Sequence, residues 1–213
     1  MTTTTPTTTQ SQDKLGLHIQ NGVLLMLCLF SIYGSIQFYM TNTQGFYHQM
    51  HPFVIGFFVV DFFYNPSIDA KIHHLCIASS MVSTSYLGIA ESENNMIVDT
   101  LYRTEISTVF MIMRYYLPKN TAVSHINNMI FCLLFFKLRV VDFYQNIIQP
   151  DSQLYAITVP DGYYGGYVVI LLGNYGLFAL NIYWFSIITS IVYKMCFPDP
   201  YISQMRENKI KNV

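Results

Sequence analysis

Charge is what this chain lacks first. Aspartate, glutamate, lysine and arginine together make up 11% of it, against about 25% in an ordinary soluble domain, while 52% is hydrophobic. A chain so poor in charge has little with which to face water, so a membrane protein is expected. The formal net charge is −1, and no cluster of Lys and Arg interleaved with aromatics occurs, which excludes a nucleic-acid partner. Cysteine is also sparse. Cys28, Cys76, Cys132 and Cys196 stand singly in apolar runs, without the pair spacing of a zinc site or a disulfide scaffold. No GxxxxGK[ST] or GxGxxG phosphate loop is present. The one potential glycosylation triplet, Asn65-Pro66-Ser67, has a disqualifying proline.

What is there is a series of apolar stretches. Met1 to Lys14 reads as a disordered Thr-rich tail, and the apolar run that follows it is too long for a signal peptide. Asn21 to Met40 holds no charge over 20 residues, about the length a helix needs to cross hydrocarbon. Further runs cover 48–64, 72–90, 96–117, 124–148 and 167–193. The third carries Ser79, Ser80, Ser83, Thr84 and Ser85, residues typical of close helix packing in lipid. The loop at 149–166 is long and tyrosine-rich, suited to the interface.

The expected architecture is therefore all-α, an integral bundle of six transmembrane helices. Its domain occupies 15–195, and 196–213 form a basic tail. Lys14, Lys71, Lys119, Lys194, Arg206, Lys209 and Lys211 fall in the tails and even-numbered connections, and none falls in the odd ones. By the positive-inside rule both termini are cytosolic. Lys209 and Lys211 then sit in KIKNV like a dilysine signal for retrieval to the endoplasmic reticulum, or equally as a basic tail against anionic lipid.

Ionisable residues inside such spans are costly and mark function. Asp61 ends the second span and His73-His74 begin the third, so a hairpin brings the carboxylate level with one imidazole. That is the arrangement of a general base, or of an interfacial pair that only hydrogen-bonds water. Metal binding there is disfavoured, because His18, His48, His51 and His125 show no coordinating spacing. Asp99 and Arg103 pair at i, i+4, and Arg139 and Asp142 at i, i+3. Glu105 has no partner on its own helix, so its partner comes from another helix, a water or a ligand. Arg114 snorkels to head groups or holds an anion.

Asp61 with HHL at 73–75, TEISTVF and MIMRYYL over 104–117, FFKLRVVDF over 135–143 and LNIYWFSIITSIVYK over 180–194 resemble, in order, the TLC domain of the TRAM, Lag1 and ceroid-lipofuscinosis proteins. The resemblance implies a multi-pass endomembrane protein of lipid synthesis, transport or sensing, with membrane lipids as partners and a possible homo-oligomer. In ceramide synthases the paired histidines are catalytic and a His-Asp follows. Here none does between Leu75 and Ile97, which draws the chain closer to the small TLC-only members. Two functions follow. One binds or regulates lipid without a cofactor, using Glu105, Arg114, Arg139 and Asn181. The other is an acyl-CoA-dependent acyltransferase, acyl-CoA being its co-substrate and His73, His74 and Asp61 its catalytic residues. A transporter using Glu105 is a third reading, unsupported by any internal repeat.

Overall fold

A computed structural model describes residues 8–41, 45–87, 96–119, 121–156 and 162–197 of the chain. Every described element is helical. The helices are α1 (Thr8–Thr41), α2 (Gly45–Tyr64), α3 (Ile68–Tyr86), α4 (Met96–Thr104), α5 (Thr108–Tyr116), α6 (Ala122–Phe135), α7 (Gln153–Ala156) and α8 (Tyr164–Cys196). Each of the six expected stretches is thus helical, but two are not regular. A 3-10 turn, Glu105–Ser107, joins α4 to α5 within one rod, and α6 continues as π-helical turns over Phe136–Asp142 and Tyr144–Ile148.

Local chemistry sets the ends. Ser67 caps α3 by accepting from the Ala70 N–H at 3.3 Å, and Thr121 caps α6 by accepting from Ser124 at 3.2 Å. Pro66 and Pro118 follow α2 and α5, where proline cannot continue a helix. Gly162, at φ 87°, makes the left-handed turn into α8.

α1 begins seven residues inside the tail expected to be disordered. Once an apolar run has nucleated a helix, each further residue adds a hydrogen bond at little entropic cost, so the helix extends outward through Thr8 to Lys14. Met1 to Thr7, the ESENN loop and the KIKNV tail lie outside the described residues. In the long loop, Leu154 of α7 is buried and draws the segment onto the bundle.

α3 is held between α2 and α8. Ile77 and Met81 pack with Leu27, Phe58, Leu101 and Leu177 in the main core, and a smaller core joins Phe131 and Phe135 to Ile188. Ser80, Ser83 and Thr84 are buried as the small-residue reading of α3 requires, whereas Ser85 is exposed. α3 and α8 run antiparallel and approach closely where Gly173 meets Ser80 and Cys76.

The outside is apolar on every long helix. Leu29, Ile36, Phe53, Phe63, Leu133, Leu172 and Ile182 are among the large side chains left exposed. A soluble monomer seldom exposes apolar patches beyond a few hundred Å², so this surface matches hydrocarbon. Among the described residues one helix, Tyr164–Cys196, is long and apolar enough to cross a membrane by length and composition, and Asn21–Gln37 and Gln49–Tyr64 are shorter apolar stretches. The 3-10 turn splits the α4–α5 rod into two α-helices of 9 residues each, and α6 is regular for 14 residues before its π-helical turns.

Candidate functional site

The α2–α3 hairpin turns at Asn65–Ser67 and brings His74 Nδ1 to 3.1 Å from Asp61 Oδ2. The two are close but off-line, so the contact is electrostatic rather than a well-formed hydrogen bond. Asn65 Nδ2 donates to the same Asp61 oxygen at 3.0 Å. Neighbouring helical residues point roughly 100° apart, so His73 faces elsewhere, as expected. Its Nε2 lies 3.8 Å from Glu105 Oε1. Phe58 packs 5.1 Å from the His74 ring and Trp184 5.2 Å from the His73 ring, centroid to centroid.

Glu105 finds its partner on another helix. Arg139 Nη2 donates to Glu105 Oε1 at 3.2 Å and to Thr108 Oγ1 at 3.0 Å, while its Nε donates to the Thr104 carbonyl and to Ser107 Oγ, each at 3.0 Å. Thr108 Oγ1 donates in turn to Glu105 Oε2 at 3.0 Å, and the Cys28 thiol donates to the Glu105 carbonyl at 2.9 Å. Both Glu105 and Arg139 are buried. An ion pair taken out of water holds only when its remaining donors and acceptors are also satisfied, and Ser107 of the 3-10 turn with the flanking Thr104 and Thr108 serve that purpose.

This overturns the expected Arg139–Asp142 pair. An α-helix would put residues three apart on one face, but these turns close from i to i+5, as the Gln149 N–H to Tyr144 carbonyl bond of 2.8 Å illustrates. Residues five apart then align, and Lys137 pairs with Asp142. Arg139 is released toward α4 and α5. Asp142 also meets Arg103 at 3.6 Å, and Arg103 meets Asp99 at 3.7 Å as expected. Ser35 donates to Asp99 at 3.3 Å.

Asn181 Nδ2 donates to the Arg139 carbonyl at 3.0 Å, which ties α8 to the π-helical turn. The structure therefore gathers Asp61, His74, His73, Glu105, Arg139 and Asn181. Arg114 stands apart, half-buried on α5 and roughly 14 Å along the rod from Glu105 at 1.5 Å per residue. A cavity of about 10 Å³ adjoins Glu105, lined among others by Leu27, Ser31, Phe58, Met81 and Tyr102. It is no larger than one water needs.

Sequence reasoning missed two members. Trp184 Nε1 donates to Asp69 Oδ2 at 3.0 Å, so the indole is fixed between Asp69 and His73. Asp69 precedes the third span, and hydrogen bonds from Ser67 and then Trp184 hold its carboxyl below the usual range. The one tryptophan of the chain, set in an uncharged run, was the available signal. Cys28 was the other, and its single thiol in an apolar run carries none.

The cluster offers a histidine beside a carboxylate, a second histidine against an acid, and an arginine that donates to Glu105, Thr104, Ser107 and Thr108. His74 beside Asp61 can accept a proton, whereas Glu105 and Arg139 neutralise each other and hold the helices in register. No curated protein and no solved structure matches the chain. The TLC domain family model matches residues 17–190, covering the helices that build this cluster, and the chain belongs to that family of membrane proteins, whose roles concern lipids.

Proposed function

We propose that the chain binds or regulates membrane lipids at the buried cluster of Asp61, His73, His74, Glu105 and Asn181, as a six-span protein of the endoplasmic reticulum with both termini cytosolic. The observation that carries the reading is the contrast between inside and outside. The exterior is suited to acyl chains, while five ionisable side chains of four helical rods, counting Arg139, meet in the interior. Such groups are expensive in a bilayer and are kept where they meet a polar group. The lipid-related roles of the family support lipid as the ligand class.

The test is the lipid profile of cells expressing the wild-type chain or the His73→Ala/His74→Ala double variant at equal membrane abundance. The profile change caused by the wild type is expected to fall to the level of untransfected cells. A double variant that reproduces the wild-type profile sinks the reading.

One observation favours a second reading, acyl transfer from acyl-CoA. His74 with Asp61 at 3.1 Å is placed as a general base. The nucleophilic amine or hydroxyl of a lipid would lose its proton to His74 while attacking the thioester carbon. The carbon–sulfur bond then breaks, and the coenzyme A thiolate takes the proton back. Purified protein that releases free coenzyme A thiol from acyl-CoA and a lipid acceptor, with release abolished in His74→Ala, would select this reading over non-catalytic binding.

The topology is tested separately at Cys196, a free and exposed thiol at the end of α8. A membrane-impermeant maleimide is expected to label it once the plasma membrane alone is permeabilised. Labelling only after the internal membranes are also opened would place the tail in the lumen and remove the retrieval signal with it.

A further inference from the structure

The α3–α8 seam contains buried polar atoms that no group among the described residues satisfies, among them His73 Nδ1 and Asn181 Oδ1. His73 is 7% exposed and Asn181 1%, so bulk water does not reach them, and a buried polar atom left alone is destabilising. The register of the seam sets the two residues at one level. Gly173 stands against Ser80, Gly176 against Cys76, and Trp184 against Asp69. Asn181 therefore lies level with Ile72 and His73, one helical turn from the Trp184 ring that touches His73.

Both atoms are acceptors. Glu105, already accepting from Arg139 and Thr108, has only acceptor oxygens to offer. A hydrogen on Nε2, the His73 nitrogen 3.8 Å from Glu105 Oε1, is the tautomer that this acceptor favours, and it leaves Nδ1 with its lone pair on the other side of the ring. Asn181 spends its Nδ2 on the Arg139 carbonyl and so presents Oδ1. Two acceptors on one level cannot satisfy each other. Each requires a donor, and a single water has two hydrogens to donate and the size to fit between two packed helices.

We infer that one bound water donates to both His73 Nδ1 and Asn181 Oδ1, which makes Asn181 the residue that positions the His73 ring. The inference rests on the lipid site proposed above in taking that ring as functional. Through Asn181 the orientation of His73 is coupled to the π-helical turn of α6, because the same amide holds the Arg139 carbonyl. The water is also the proton partner of the only ring nitrogen of His73 that does not face Glu105.

X-ray hydroxyl-radical footprinting reads such a water directly, since radiolysis of a trapped water oxidises the side chain beside it. In the full-length protein in nanodiscs, His73 is expected to be oxidised despite its burial. Oxidation should fall roughly ten-fold in Asn181→Leu, the level of a dry buried side chain, and stay unchanged in Asn174→Leu, two turns away on the same face of α8. If Asn181→Leu does not elute as a single species, Asn181→Met replaces it. An unoxidised His73 in the wild type, or equal oxidation in wild type and the Asn181 variant, overturns the inference. This readout needs no lipid activity. An unaltered lipid profile in the histidine double variant would refute the proposed function while leaving the bound water standing.

Discussion

Glu105→Leu is expected to destabilise the bundle by about 3–5 kcal/mol, the usual cost of stripping one partner from a buried ion pair. The loss is large because Arg139 remains. Its guanidinium is buried, it cannot shed its proton, and Thr104, Ser107 and Thr108 offer it neutral oxygens but no counter-charge. Glu105→Gln keeps an oxygen within reach of Arg139 Nη2 and should cost less, about 1–3 kcal/mol. The double variant Glu105→Leu/Arg139→Met removes both charges and is expected to recover most of the loss, since an apolar replacement of a whole buried pair is often neutral. Thermal midpoints of the monodisperse fraction in nanodiscs measure all three. Equal midpoints for the Leu and Gln variants, or a double variant no better than Glu105→Leu, would show that the pair does not hold the bundle.

The second large effect is expected at Gly173. A Cβ built there lies inside the contact distance of Ser80 Oγ and 3.0 Å from the Cys76 carbonyl oxygen. The hydroxyl can rotate away, but the carbonyl belongs to α3, and α3 is clamped by α2 behind it. Gly173→Ala should therefore push the α3–α8 seam apart at a cost of about 1–3 kcal/mol, the range for overpacking. Gly165 is in the same helix with nothing within 4 Å of its built Cβ, so Gly165→Ala should gain about 0.5–1 kcal/mol from helix propensity. The two alanines thus differ in sign. Adding Ser80→Ala to Gly173→Ala should return part of the loss, and a Gly173→Ala midpoint equal to that of Gly165→Ala would refute the close approach.

How much of this was legible differs from residue to residue. Helicity of all six stretches followed from their apolar runs, and the Asp99–Arg103 contact from spacing on one helix. Asp61 and His74 were legible because a short connection leaves a hairpin little choice, and the roughly 100° between neighbours assigned just one histidine to Asp61. Glu105 could be read as needing a partner from another helix, but not which. The spacing of Arg139 and Asp142 pointed to each other, and nothing in FKLRVVD announces a π-helical turn. Only the backbone switch to i+5 closure frees Arg139. Trp184 with Asp69 was out of reach for another reason, since 115 residues separate them and their meeting depends on the α3–α8 register. Composition reads Thr8 to Lys14 as tail, and α1 extends over these residues.

The two inner networks have a further consequence when their charges are added. Glu105 cancels Arg139, and Asp99 and Asp142 cancel Arg103 and Lys137. A voltage sensor depends on uncompensated charge at membrane depth, where each elementary charge crossing the field is worth about 2.3 kcal/mol per 100 mV. Groups that move together as neutral sets carry no such work. Glu105 and Arg103 stand on the α4–α5 rod and their partners Arg139 and Asp142 on the α6 rod, so the charges cancel only while these two rods move as one body.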